Sequence, residues 1–147
     1  MCGIAGVVSI APFPNALGIE QTLHRMARLI AHRGPDGSDI WHDSHAGLAH
    51  TRLAIIDLSE AGRQPMHDVQ GHYVLTYNGE IYNYRELREE LRAAGHHFRT
   101  ETDSEVILNG YREWGEAVVD RLRGMFAFAL WDEREKRLFM ARDRVGQ

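Results

Sequence analysis

The residue best suited to chemistry is Cys2, the single cysteine among 147 residues, which directly follows the initiator methionine. Removal of Met1 would give Cys2 a free α-amine. An α-amine has an ordinary pKa of about 7.7–8.0, so it can accept the thiol proton at neutral pH. An N-terminal amine that serves its own side chain as base is a recognised form of covalent catalysis. Cys2 is therefore our candidate nucleophile. The alternative interpretation is that Cys2 is a small, buried hydrophobic residue.

The elements that must position this residue form an α+β pattern. Apolar residues recur at helical spacing over residues 18–32 and again over 83–94, before Gly95. Thr102 to Glu105 read as a capping box that opens a third helix, with a short helical piece at 116–122. Strands are predicted over residues 3–9, 39–42, 48–56, 72–77, 125–131 and 138–142, and the last two form an antiparallel hairpin across a polar turn at 132–136. Short turns between strands favour antiparallel sheets over a doubly wound parallel fold.

Composition excludes several classes of protein. With 44% hydrophobic and 26% charged residues, the chain reads as one globular domain over residues 1–147. Seventeen basic and 21 acidic side chains give a net charge of −4, with no basic stripe, which disfavours nucleic-acid binding. The absence of a long apolar run argues against a membrane span, and a single cysteine makes the cytoplasm the default compartment.

Six stretches together carry a resemblance. They are MCGIAGVV (1–8), AHRGPDG (31–37), HTRLAIIDLSEAGRQPM (50–66), YNGEIYNYRELREEL (77–91), TETDSEVIL (100–108) and RGMFAFALWDEREKRLFMARDRVGQ (123–147). In order and spacing they resemble the N-terminal, class II glutamine amidotransferase domain of glutamine-hydrolysing asparagine synthetases. This resemblance implies an N-terminal-nucleophile hydrolase fold, an αββα sandwich of two antiparallel sheets flanked by helices.

The resemblance also implies roles for individual residues. Cys2 would attack the side-chain amide of L-glutamine and form a thioester, while Asn78 and Gly79 would supply the oxyanion hole. Arg52 would bind the substrate's α-carboxylate, Asp103 its α-ammonium group, and Glu80 would line the pocket. From the residues alone, Asn78-Gly79 is better explained as a hairpin turn, Asp103 as a helix N-cap and Arg52 as a strand-edge arginine. We interpret AHRGPDG as a structural loop near the pocket.

Other histidines and aromatic residues receive structural interpretations. His96 and His97 before Phe98 look like the start of a strand, and Tyr82, Tyr84 and Trp114 like core or pocket wall. The histidines are dispersed and the cysteine is single, so we expect no metal site.

Three functional hypotheses follow. The first is a glutaminase that supplies ammonia to a synthetase domain for ATP-dependent conversion of aspartate to asparagine. The second is a glutamine-binding fragment of low activity, and the third an amidotransferase branch with a different ammonia acceptor. In the family the sequence continues beyond ARDRVGQ, so we expect the domain to lack its last strands and the synthetase domain to be absent. We expect no cofactor in this domain and assign ATP and Mg²⁺ to the synthetase domain. We expect neither nucleic acid nor a membrane as partner, and a homodimer is an open alternative for the assembly.

Overall fold

The computed structural model describes residues 1–54 and 60–146, which form two antiparallel sheets with helices outside them. Within these ranges the first sheet has the strand order β1-β3-β2 and the second the order β4-β5-β6-β7. The strands are β1 (Gly3–Val8), β2 (Gly37–His42), β3 (Ala46–Arg52), β4 (Met66–His67), β5 (Tyr73–Ile81), β6 (Gly124–Asp132) and β7 (Arg137–Arg142). The helices are α1 (Ala16–Leu29), α2 (Tyr84–Ala93), α3 (Ser104–Trp114) and α4 (Val118–Arg121).

Helix α1 covers the outer face of the first sheet. It begins at the side chain of Asn15, whose Oδ1 accepts the N–H of Gly18 at 3.1 Å. Ile19, Leu23 and Ala27 recur at four-residue spacing and are buried on one face of the helix. That face packs on the sheet residues Ala5, Val7, Ile40 and Ala49.

The two sheets pack face to face. Leu48 of the first sheet and Val74 and Trp131 of the second are at most 1% exposed and belong to one apolar cluster. The hydroxyl of Thr76 donates to the carbonyl of Ala49 across the same interface. Because side chains alternate along a strand, the even-numbered residues of β5 face the first sheet.

Helices α2, α3 and α4 cover the outer face of the second sheet. Leu87 and Leu91 of α2 and Ile107 of α3 pack against Tyr77 and Phe128 in the largest apolar cluster. The result is the helix–sheet–sheet–helix order of an αββα sandwich, and the predicted fold class is confirmed. None of the helices in the described ranges is long and apolar enough to cross a membrane.

Helix α2 ends where its sequence indicates. Gly95 has φ of +95°, a conformation that glycine adopts without strain, and its N–H donates to the carbonyl of Arg92. The N–H of His96 donates to the carbonyl of Leu91 at 2.9 Å, completing a Schellman motif. His96 therefore completes the end of a helix, and residues 96–98 form no strand, so that prediction is wrong.

Two local predictions fail because distant segments supply the partners. Asn78-Gly79 is not a hairpin turn: both residues lie inside β5 and pair with β6, a strand far away in sequence. Asp103 occupies the N-cap position of α3, but its side chain makes no capping bond there. Tyr82 is 60% exposed rather than part of the core, whereas Tyr84 and Trp114 do pack against it.

The other predicted elements are present with shifted ends. The hairpin of β6 and β7 and the short helix before it are confirmed. The predicted strand over 48–56 corresponds to β3, which ends at Arg52, and its positions 55 and 56 lie outside the described residues.

Candidate active site

A pocket opens where the two sheets meet the N-terminal end of α3. Cys2 and Arg52 reach it from the first sheet, Asn78 to Glu80 from β5, and Asp103 from the start of α3. All six residues singled out in the sequence therefore line one pocket: Cys2, Arg52, Asn78, Gly79, Glu80 and Asp103.

The candidate nucleophile lies one residue before β1 and is half-buried. Gly3 pairs with Thr51 of β3, so continuing the register places Cys2 beside Arg52. The N–H of Leu53, just beyond β3, donates to Cys2 Sγ at 3.3 Å, and Sγ lies 3.6 Å from the Leu53 carbonyl oxygen. The thiol is thus oriented by backbone next to the sheet while it faces the pocket.

The AHRGPDG loop supports this arrangement from behind. Arg33 Nε donates to the carbonyl oxygen of Cys2 at 3.0 Å. The N–H of Asp36 donates to the Arg52 carbonyl, and its carboxylate accepts the N–H of Ala54, both at 2.9 Å. The loop is structural, as expected, and it also fixes the backbone of the candidate nucleophile.

The edge of β5 forms the opposite wall of the pocket. The N–H of Tyr77 donates to Gln64 Oε1 at 2.6 Å, and the N–H of Ile81 donates to Asp103 Oδ2 at 2.8 Å. Both acceptors are side chains rather than backbone of a neighbouring strand. Gly79 lies midway between these two positions, with the same orientation along the strand.

The backbone of Gly79 points away from β6. Its pair residue Phe126 uses both backbone groups on the other side, since its N–H donates to Asp143 Oδ2 at 3.1 Å and its carbonyl accepts the Asp143 N–H at 2.8 Å. Gly79 and Phe126 therefore form a non-hydrogen-bonded pair, and the N–H of Gly79 faces the pocket. Gly79 has φ of +154°, and a Cβ there would lie 2.2 Å from the carbonyl oxygen of Met125. Only glycine fits this position.

Asn78 precedes it and faces the first sheet, like Thr76 on the same strand. Its Oδ1 is buried, and within the described ranges it has no hydrogen-bond partner. The side chain lines the pocket, and this oxygen is not engaged in holding the described part of the fold.

Asp103 is a buried carboxylate, 6% exposed, at the N-terminal end of α3. Its Oδ2 accepts the Tyr77 hydroxyl at 2.5 Å in addition to the N–H of Ile81. Burial raises the pKa of Asp103, against the opposing effect of these hydrogen bonds. Burial and the neighbouring carboxylate of Asp103 also raise the pKa of Tyr77. Tyr77 therefore remains a hydrogen-bond donor to Asp103.

The segment before Asp103 is held by a buried arginine. Arg88 of α2 is 4% exposed, and its guanidinium donates to the carbonyls of Thr100 and Thr102, both at 2.8 Å. Glu105 does not close a capping box; its carboxylate accepts the N–H of Thr100 at 2.8 Å. These bonds fix the path of the chain that delivers Asp103 to the pocket.

The pocket is lined by side chains of both charges. Arg52 is half-buried at the end of β3, and its guanidinium lies against Gly62, where a Cβ would be 2.7 Å from Nη2. Glu80 is exposed at the rim, and Asp103 is buried beneath it. One cationic and two anionic side chains therefore face one cavity, which suits a small zwitterion.

The sequence reasoning missed His50 and Gln64, which also line the pocket. His50 is 1% exposed, and its Nε2 lies 3.2 Å from the carbonyl oxygen of Tyr77. Burial lowers the pKa of His50 to about 4, so the ring is neutral at neutral pH and donates from Nε2. His50 lies in HTR (50–52) and Gln64 in GRQPM (62–66), which are parts of the stretches that carry the resemblance. Their place in these stretches was the only signal in the sequence that could have found them. Among the described residues, no group of three or more histidine, cysteine or acidic side chains could hold a metal ion.

Comparison with known proteins agrees with this geometry. The sequence model of the family described as "Glutamine amidotransferase domain" matches residues 1–147. "Asparagine synthetase [glutamine-hydrolyzing] 3" of Bacillus subtilis is 50% identical over 149 aligned residues, covering 99% of this chain and 24% of the relative. "Amidase chry2" of Gibberella zeae is 41% identical over 155 residues, with 99% and 23% covered. The chain thus spans about a quarter of the length of these curated relatives.

A solved structure has the same fold. The glutamine phosphoribosylpyrophosphate amidotransferase of B. subtilis, complexed with ADP and GMP, superimposes with a TM-score of 0.78. The match covers 99% of this chain and 38% of that one, at 18% sequence identity. At this identity the likeness concerns the fold alone.

Proposed function

The chain belongs to the glutamine amidotransferase domain family, and we propose that it hydrolyses L-glutamine through a thioester on Cys2. The observation that carries the proposal is the convergence on one pocket of the Cys2 thiol, the Asn78 side chain and the N–H of Gly79. A nucleophile and two donors in one cavity fit acyl transfer from an amide.

The first half-reaction forms the thioester. With Met1 removed, the α-amine of Cys2 takes the thiol proton, and Sγ attacks the side-chain amide carbon of glutamine. The negative charge that develops on the amide oxygen is stabilised by Asn78 Nδ2 and the N–H of Gly79. Collapse of this intermediate breaks the C–N bond, and the α-amine returns the proton to the leaving nitrogen, releasing ammonia.

The second half-reaction restores the enzyme. Water gives a proton to the α-amine and attacks the thioester carbon, and the same two donors stabilise the second tetrahedral intermediate. Breaking the C–S bond releases glutamate, and the Cys2 sulfur regains its proton. No cofactor enters either step.

The charged residues of the pocket would recognise the backbone end of glutamine. We assign the α-carboxylate to Arg52, whose planar guanidinium can form two parallel hydrogen bonds. We assign binding of the α-ammonium group to Asp103, and Glu80 at the rim of the pocket adds a second negative charge. This pairing of opposite charges supports an amino acid as the substrate.

The acceptor of the ammonia is proposed from the relatives. We propose that it is activated aspartate on a synthetase domain that uses ATP and Mg²⁺, because a glutamine-hydrolysing asparagine synthetase is 50% identical to this chain. The cytoplasm is the proposed compartment, and a homodimer is the proposed assembly.

A second candidate keeps the glutaminase and changes the acceptor. It is favoured by the 41% identity to a relative that is named as an amidase and not as an asparagine synthetase. A third candidate is a pocket that binds glutamine with little turnover. Steady-state glutamate release by the protein separates this third candidate from the other two.

The decisive experiment is intact-mass spectrometry before and after incubation with a diazo-ketone analogue of glutamine. We expect loss of Met1 and one covalent adduct on Cys2, because the analogue places an electrophile where the glutamine amide carbon would lie. Excess L-glutamine should suppress the adduct, whereas D-glutamine should not. Retained Met1, or an adduct that L-glutamine does not suppress, would contradict the proposed glutaminase.

Asp103 offers a test of substrate recognition. Asp103→Asn should raise KM for glutamine about 10–100-fold at neutral pH, since hydrogen bonds to charged groups contribute about 1.5–3 kcal/mol. Burial raises the pKa of Asp103 above the ordinary 3.8. Protonation removes the negative charge that binds the ammonium group, so KM of the unmodified protein should rise as the pH falls through this raised pKa.

The pH profile of KM provides the control for this variant. Asp103→Asn should lack the acidic rise in KM, because asparagine does not titrate. Asp120→Asn, the same change at an exposed position of α4, should keep both the KM and its pH profile. An unchanged acidic rise in Asp103→Asn would assign the titration to another group.

A further inference from the structure

The edge of β5 is covered by strand backbone over only part of its length. Strand β4 pairs with it at Met66–Leu75 and His67–Val74. Continuing this register by two residues would place Gln64 opposite Tyr77, and by two more Gly62 opposite Gly79. The chain does not continue as a strand, because β4 begins at Met66 and Glu60–Gly62 form a 3₁₀ turn.

Gln64 lies opposite Tyr77 in the continued register, but it bonds to Tyr77 through a different atom than a strand residue would. Its side-chain Oε1, rather than a backbone carbonyl, accepts the N–H of Tyr77 at 2.6 Å. Gln64 is 7% exposed, so this bond is shielded from water. A buried N–H without a partner is costly, and the side chain supplies the partner that the strand no longer provides.

The departure of the backbone has a consequence two residues further along. If β4 continued, residue 62 would cover Gly79 and occupy its N–H in the sheet. Because the chain turns away, the N–H of Gly79 faces the pocket instead. Among residues 1–54 and 60–146, the edge is therefore closed at Tyr77 by Gln64 and at Ile81 by Asp103, and open at Gly79 between them.

We propose that Gln64 is a positioning residue, whose side chain replaces strand backbone at Tyr77 and so holds β5 in place while leaving Gly79 open. The effect on catalysis rests on the proposed function, in which Gly79 donates to the oxyanion. The effect on the strand does not, since it concerns the Tyr77 amide alone.

The test compares Gln64→Leu, which has similar size but no acceptor, with Gln64→Glu, which keeps an acceptor oxygen. Gln21→Leu is the matched control, because it makes the same change at an exposed position of α1. Amide hydrogen exchange by NMR reports the Tyr77 bond, and steady-state glutamate release reports kcat and KM. Thermal unfolding of each variant shows whether it is folded.

In Gln64→Leu we expect Tyr77 exchange to quicken by at least about fivefold, the equivalent of one net hydrogen bond. We expect kcat to fall about 10–100-fold, as for a small misplacement of catalytic groups, with KM changed by less than about threefold. Gln64→Glu should keep Tyr77 protected and recover most of kcat. Gln21→Leu should match the unmodified protein in both measurements.

Several outcomes would overturn the proposal. Unchanged Tyr77 exchange in Gln64→Leu would show that the bond is not made, and a rise in KM alone would make Gln64 a substrate contact. If Gln64→Leu does not fold, Gln64→Glu decides, since loss of kcat with Tyr77 still protected contradicts a positioning role. If the unmodified protein releases no glutamate, the proposed function fails, and the exchange result alone judges the role of Gln64.

Discussion

Replacing Cys2 with alanine is expected to abolish glutamate release, by more than about 10⁴-fold in kcat, as when the nucleophile of a covalent mechanism is removed. The thioester cannot form without the sulfur, and the charges that bind glutamine remain in place. Binding and chemistry should therefore separate. Calorimetry should give a dissociation constant for glutamine close to the KM of the parent, while glutamate release falls to background.

The fold should survive this change. The Cys2 side chain is half-buried and its sulfur hydrogen-bonds with the backbone of Leu53, while its own carbonyl remains bonded to Arg33. Circular dichroism and the unfolding midpoint are therefore expected to match the parent. Ammonia release at the parent rate by Cys2→Ala would refute the thioester mechanism and return Cys2 to the role of a small buried hydrophobic residue.

The parts of the fold that sequence predicts well are those whose partners are close in the chain. Helix α2 is periodic, and it ends through the bonds of Gly95 to Arg92 and of His96 to Leu91, three and five positions earlier. The β6–β7 hairpin is joined by a polar turn and pairs as expected. Such elements satisfy their backbone groups locally, so their composition carries the information.

Two of the failures have the opposite property. Asn78-Gly79 has the composition of a hairpin turn, but the segment pairs with β6, more than 40 positions away in register. Asp103 has the composition of an N-cap, yet its carboxylate accepts from Tyr77 and Ile81. In both cases a tertiary partner outweighs the local preference, and local sequence does not report that partner.

The residues of the candidate site also differ in how far the sequence alone predicts them. The chemistry of Cys2 could be argued from its position alone, whereas the grouping of Arg52, Asn78 and Asp103 came from the resemblance. Gln64 had no chemical signal of its own, because its role depends on where β4 stops. A residue that acts by replacing missing backbone can be found only once the strand register is known.

Asn78→Ala is expected to lower kcat for glutamine hydrolysis by about 10²–10³-fold, the effect of removing one oxyanion-hole donor. KM should change little, since the donor acts on charge that develops only in the transition state. Stability should also change little. The Oδ1 of Asn78 has no hydrogen-bond partner among residues 1–54 and 60–146, so the truncation leaves no donor of the protein unsatisfied.

Another asparagine of the chain, Asn15, provides a matched control for this prediction. Asn15 caps α1 by accepting the N–H of Gly18, and it is not among the residues that line the pocket. Asn15→Ala should therefore cost about 0.5–2 kcal/mol of stability, as for a lost N-cap, and leave kcat unchanged. The same substitution would then affect unfolding at one position and catalysis at the other. If Asn78→Ala instead lowers the unfolding free energy and leaves kcat within about threefold of the parent, Asn78 is a structural residue and the oxyanion hole lies elsewhere.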